Sequence, residues 1–138
     1  MLAQAADEIG VALAYLSEAY EHLDERSADR LEEGLFQPLQ AAYGGAKRTH
    51  AGFVERYRLA AHKFETPSPV APSSSTKGLI DAAVEAGARA DATLVALQDS
   101  MAPVEVGDAE LRAGITHIRE LLAGVRGQAR EFVRTLGR

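Results

Sequence analysis

Between Phe36 and Phe64 one set of side chains recurs at intervals of three and four without a lapse: Phe36, Leu39, Tyr43, Ala46, His50, Phe53, Tyr57, Ala60 and Phe64. That period gathers the positions into a single stripe on an α-helix, whereas a strand would scatter them over both faces. The segment is therefore helical and must lay its stripe against other helices. The same spacing appears three more times. Leu2, Ile9, Leu16 and Leu23, interleaved with Ala5, Ala12 and Ala19, mark a first helix. Ile80, Ala83, Gly87, Ala90, Leu94, Leu97 and Met101 mark a third, and Leu111, Ile115, Ile118, Leu122, Val125, Ala129, Phe132 and Leu136 a fourth. No stretch alternates apolar and polar residues for long, so strands have no support.

These core lines predict helices over about residues 1–25, 36–64, 77–101 and 108–136, within one domain covering residues 1–138. The fold class that follows is all-α, a four-helix antiparallel bundle of up-down-up-down order. In the first and third helices large side chains alternate with Ala or Gly. A neighbouring helix can approach closely there, because only methyl groups or hydrogens separate the backbones.

The first line loses its phase at Arg26 and Arg30, which predicts a helix end near residue 25. Residues 24–35 then form a connector with some helical character, in which Leu31 and Leu35 close one end of the bundle. Gly34 would end a short helical piece begun at Ser27, and Pro38 would sit in the first turn of the next helix. The alternative is a first helix running unbroken to about residue 33. The stretch "TPSPVAPSSST" has no period and reads as a Pro/Ser-rich loop over residues 65–76. "APVEVG" separates the last two helices, and Asp108 is placed to cap the fourth. Acidic residues open that helix and arginines close it, in keeping with the helix dipole.

With 138 residues, 46% of them hydrophobic, the chain can bury a core that needs neither metal nor disulfide. It has no cysteine, which removes disulfides, thiol chemistry and Cys-ligated metals, and suits a reducing compartment. The opening residues carry Asp7 and Glu8 within their apolar stretch and do not read as a signal peptide. No run approaches the roughly 18 apolar residues of a membrane span, so the expectation is a soluble, cytoplasmic protein with no membrane partner. The net charge of −5 is unevenly spread. Residues 1–40 are strongly acidic and residues 41–65 basic, which would attract a partner or hold two neighbouring helices together.

Catalytic signatures are sparse. No Glu-x-x-His is present, the core lines contain no carboxylate, and Glu18 and His22 read as an exposed pair four residues apart; neither metal nor cofactor is expected. "YGGAKRTH" lacks the spacing of a phosphate loop, and no strand precedes it. Two pairs, Arg56-YRLAA-His62 and Arg112-AGIT-His117, are similar in spacing to the Arg and His of HEPN-type ribonucleases. About one such pair is expected by chance with twelve arginines and four histidines, and the polar residue usual after that Arg is replaced by Tyr57 and Ala113. This resemblance supplies the enzymatic alternative, an HEPN-like ribonuclease. Nucleic-acid binding is argued against by the acidic net charge and the lack of a recognition motif. Arg112, Arg119 and Arg126, seven apart beside the core line, instead suit flanking salt bridges.

What remains is binding. Well-kept heptads point to a non-enzymatic bundle acting through a protein partner or self-association, a homodimer included. Seven of eight aromatics lie in the first half, and His50 is the one readily ionisable side chain on the core lines from Phe36 onward. A second expectation follows from these two facts: a small apolar ligand held at His50, Tyr43, Phe53 and Tyr57, between the aromatic second helix and the small-residue face of the third. If His50 is merely structural, its partner is expected to be Tyr43 or a backbone carbonyl.

Overall fold

The computed structural model describes residues 1–60, 62–64, 75–101 and 108–136. The chain forms α1 (Leu2–Glu21), α2 (Glu25–Leu31), a π-helical turn (Glu32–Phe36), α3 (Gln37–Tyr57), α4 (Thr76–Met101) and α5 (Ala109–Leu136). No strand occurs among the described residues. The expected loop at residues 65–76 falls almost wholly outside them, as does "APVEVG".

The first helix stops at Glu21, where the amides of His22 and Leu23 turn back to the carbonyls of Ala19 and Tyr20. Asp24 starts the next one. Its carboxylate accepts the Ser27 N–H at 2.7 Å, and that bond holds the acid below the usual carboxylate range. The alternative of an unbroken helix to residue 33 is thereby excluded.

The connector is more regular than expected, because helical geometry persists from Glu25 to Tyr57 with the π turn as its one defect. Pro38 accounts for that defect. It has no N–H to offer the Gly34 carbonyl four residues back, and its ring crowds that carbonyl. Immediately before it the turn widens, and the Gln37 N–H reaches the carbonyl of Glu32. Gly34 is thus an interior residue of the π turn, while Pro38 stands in the first turn of α3, as expected, although the residues before it are already helical. Leu31 and Leu35 are fully buried, as the connector reading required.

At its far end α3 stops at Tyr57, not at residue 64. Arg58 takes the left-handed conformation (φ 52°, ψ 45°), with its N–H directed to Glu55 and the N–H of Leu59 returning to the Val54 carbonyl. This double closure is a Schellman end, with arginine where glycine is usual. Phe64 keeps the heptad phase yet lies beyond the helix. It still packs on the core, because the chain doubles back past His50.

The most extensive helix pairings are α1 with α4 and α3 with α5; α1–α3 and α4–α5 contacts complete a square, leaving α1/α5 and α3/α4 on its diagonals. Arg89 of α4 meets Glu8 of α1, Gly45 and Thr49 of α3 meet Ile118 and Gly114 of α5, and Arg119 of α5 meets Asp91 of α4. These contacts make neighbouring helices antiparallel, the bundle the heptads call for. One detail departs from a plain up-down-up-down path. The C-terminal ends of α3 and α4 lie together, so the order along the chain is up-down-down-up and the chain re-enters the bundle at the end opposite to where α3 leaves it.

Packing follows the small-residue lines. In α1, Ala5, Ala6, Ala12 and Ala19 are fully buried, and in α4 so are Ala86 and Ala90. A buried Leu or Ile stabilises by about 1.5–3 kcal/mol, while an alanine acts chiefly by letting backbones and large neighbours close up. Gly114 is the tightest point. A methyl group there would fall on the branched Thr49 side chain, whereas methyl groups at Gly124 and Gly127 would meet nothing.

Three stability outcomes follow, all readable by urea or thermal unfolding. Gly124→Ala and Gly127→Ala should each stabilise by about 0.5–1 kcal/mol through helix propensity. Gly114→Ala should lose about 1 kcal/mol net despite the same gain, and Thr49→Ala in that background should recover it. Arg58→Gly should stabilise by about 0.5–1 kcal/mol by removing a side chain from the left-handed position.

Candidate functional site

Four helix ends meet where α1 begins, α3 and α4 finish and α5 begins. They enclose a pocket of about 210 Å³ lined by Met1, Leu2, Ala3, His50, Phe53, Val54, Leu59, Ala60, Leu97 and Leu111. Nine of those ten residues are apolar; His50 is the exception. Its ring is half-buried, and Nε2 is fully buried with no hydrogen-bond partner. The expected bond to Tyr43 or a carbonyl does not form.

Rings surround the imidazole instead. Phe64 stands edge-on at 5.6 Å and His62 at 6.2 Å, and His62 is tied through Nε2 to Asp7 of α1 at 3.0 Å. The returning segment after α3 is thus fastened beside His50 by one polar contact and two aromatic ones. Burial is the first cause that lowers the His50 pKa below its ordinary value, and the nearby His62 pushes in the same direction. At neutral pH the ring is uncharged.

The four expected ligand residues divide. His50 and Phe53 line the pocket; Tyr57, largely exposed, reaches it only by leaning on Phe53 at 4.8 Å. Tyr43 lies two turns away, its ring covered by the Lys47 ammonium at 4.4 Å and its hydroxyl pKa raised by burial and by Asp7. The expected space between the aromatic helix and the small-residue face of α4 also differs. Those helices are diagonal, and the cavity near that place, about 130 Å³ between Leu39, Ala83, Gly87 and Leu122, includes none of the four residues.

Heptad reasoning passed over Leu2, Leu97 and Leu111 as site residues because it classed them as core. Leu2 and Leu111 open their core lines and Leu97 stands one place from the end of its own, and a member near the end of a line faces the end of the bundle as well as its axis. Leu59 carried no such signal, since it is placed by the reversal at Arg58.

The remaining candidates are engaged in ordinary pairing. Arg56 binds Asp108 and Glu110 at the start of α5, and Asp108 also accepts the Leu111 N–H at 3.0 Å. Burial would raise the Asp108 pKa, but that N–H and the guanidinium outweigh it and hold the acid low. Arg56 and His62 of the HEPN-like spacing are therefore directed to carboxylates on different helices, while His117 is exposed on α5. Arg119 makes the flanking bridge expected of it, to Asp91 at 2.8 Å. Glu18 and His22 form an exposed pair at 3.1 Å. No helix among the described residues is long and apolar enough to cross a membrane. The chain shows no significant match to any known protein family, curated protein or solved structure.

The orphaned nitrogen has a measurable consequence. An unsatisfied buried polar atom costs about 1–3 kcal/mol, so His50→Leu should stabilise the protein by about 1 kcal/mol at pH 7. The folded protein takes up the His50 proton only at lower pH than the unfolded chain does. Between the ordinary histidine pKa of about 6.5 and the lowered one, the unfolded state binds more protons, so stability falls as pH falls. The gap between His50→Leu and wild type, read from urea unfolding, should accordingly widen from pH 7 to pH 5.

Proposed function

We propose that this chain is a non-enzymatic binding protein that receives a small apolar group in the bundle-end pocket around His50. One observation carries the reading: three of the four large apolar side chains that stand exposed on the described surface, Met1, Tyr57 and Leu59, gather at the pocket or against its Phe53 wall. A half-open apolar cavity with an apolar rim loses water favourably to any apolar guest that fits. An apolar cavity of about 150 Å³ holds benzene, so this one suits a guest of about one ring with short substituents. Binding is favoured over catalysis because nine of the ten lining side chains are apolar, the charged groups that reach His50 being the amino terminus, His62 and Asp7 around it. A cytoplasmic setting belongs to the proposal, on the cysteine-free composition.

The same rim supports a second reading, in which the apolar group belongs to a protein partner or a second copy. Both are tested on the full chain. Titration with toluene or p-cresol followed by ¹H–¹⁵N NMR should give saturable shifts at Leu2, Phe53, Leu97 and Leu111, lost in Ala3→Phe, which fills the cavity. If no single-ring probe binds while sedimentation reveals self-association that Leu59→Glu abolishes, the protein-partner reading replaces the first. A strict monomer that binds no such probe and captures no partner would remove both.

A further inference from the structure

At the end of the bundle opposite His50, the last turns of α1 meet the π turn around a pocket of about 320 Å³ lined by Ser17, Tyr20, Glu21, Glu32 and Phe36. Two of its five lining residues are aromatic and two are acidic, and its surface is mainly apolar. Tyr20 is 40% exposed, the one large apolar side chain so exposed away from the His50 end among the described residues. Glu21 and Glu32 are both exposed, and neither enters an ion pair among the described residues.

Elsewhere the fold supplies its own cations to aromatic rings. Lys47 lies over Tyr43 at 4.4 Å and Arg30 over Phe132 at 5.5 Å. Around Tyr20 and Phe36 no described cation does the same. His22, two residues on, is turned to Glu18, and Arg30 is held by Thr135 at 2.6 Å as well as by Phe132. The pocket therefore combines ring faces with negative charge and leaves both without a positive partner.

We infer that this second pocket is a binding site for an organic cation, an ammonium or guanidinium group seated against the Tyr20 and Phe36 rings and neutralised by Glu21 and Glu32. Ring faces attract cations through their quadrupole, most strongly cations that shed water easily. A hard metal ion is a poor fit, since two carboxylates without further oxygen ligands do not replace its hydration shell. A neutral apolar guest would leave both carboxylates uncompensated. The site is separate from the His50 pocket and does not depend on the function proposed for it. The cation could be a free quaternary ammonium or the side chain of a lysine or arginine on a peptide, and the two sources share this chemistry.

The test is an NMR titration of the full chain at constant ionic strength, using tetramethylammonium, its neutral shape match tert-butanol, and N-acetyl-arginine amide. Saturable shifts of the Tyr20 and Phe36 ring signals are expected with the cations and not with tert-butanol. Tyr20→Phe should bind tetramethylammonium nearly as wild type does, Tyr20→Leu about threefold more weakly, and the Glu21→Gln/Glu32→Gln double variant about tenfold more weakly. Tighter binding of N-acetyl-arginine amide than of tetramethylammonium assigns the site to a side chain, and the reverse order to a free quaternary ammonium. Equal binding of tert-butanol, or shifts that remain linear to about 200 mM of either cation, would overturn the inference.

Discussion

Close approach of helix backbones along lines of alanine and glycine is the constraint on which the rest of this bundle depends. Where α1 and α4 pair, the buried residues are largely alanines, and where α3 and α5 pair, Gly45 and Gly114 receive Ile118 and Thr49. Each of these seams excludes larger side chains from one flank of its helices and directs them to the middle, where Ile9, Leu16, Leu39, Leu94, Ile115 and Ile118 are fully buried. Two tight pairs stacked through a shared core form a square whose diagonal helices keep their backbones apart. This is why α1 neighbours both α3 and α4, and why the antiparallel rule can hold at every side while α3 and α4 point the same way.

The core lines were legible because burial is periodic along a helix. Every member of the α5 line from Leu111 to Phe132 is buried as the spacing requires. What the spacing lacks is any marker of direction or continuity. The phase slip between Leu23 and Leu39 looks the same whether the chain breaks or inserts one residue into a wide turn. Here it does both, with a break at His22–Asp24 and a π turn ahead of Pro38. Phe64 illustrates the converse. Its phase correctly marks a side chain that packs on the core, but the backbone carrying it has already left the helix at an arginine in a conformation that sequence pattern associates with glycine. Order around the square was equally hidden, since a heptad line reads the same toward either end.

His50 sits where periodicity and end effects meet. Its place on the α3 stripe was readable, and the absence of a hydrogen-bond partner was not, because that depends on what the neighbouring helices present at the same level. Seven residues later α3 stops, and the surrounding elements are the first residues of α1 and the start of α5. Those ends contribute Leu2, Ala3 and Leu111, none of which can accept or donate a side-chain hydrogen bond. A histidine on an otherwise apolar stripe is thus left half-buried and neutral at the mouth of a cavity, costing stability that a leucine at the same place would not.

Charge separates the two ends of the molecule in a way the segment totals only hinted at. The acidic first forty residues and the basic segment after them were expected to attract each other if they did not attract a partner. Among the described residues, the polar side-chain contact that joins them, beside the apolar packing of α1 on α3, is His62 with Asp7 near the His50 pocket. The longer-range ion pairs, Arg89–Glu8, Arg119–Asp91 and Arg56 with Asp108 and Glu110, tie α1 to α4, α4 to α5 and α3 to α5. Arg89–Glu8 and Arg56–Glu110 lie towards the surface, where such pairs contribute at most about 1 kcal/mol each and steer register more than they hold the fold, whereas the Asp108 carboxylate that Arg56 also binds is largely buried. Glu21 and Glu32 remain unpaired around the π turn, about 30 Å along α1 from an end whose exposed side chains are Met1, Tyr57 and Leu59. Dissolved ions screen the acidic end, whereas apolar surface gains by leaving water, so the proposed occupants would respond oppositely to salt: added salt weakens a cation's attraction to the first and leaves or strengthens apolar association at the second. Were both proposed occupants bound, the length of α1 would hold them apart.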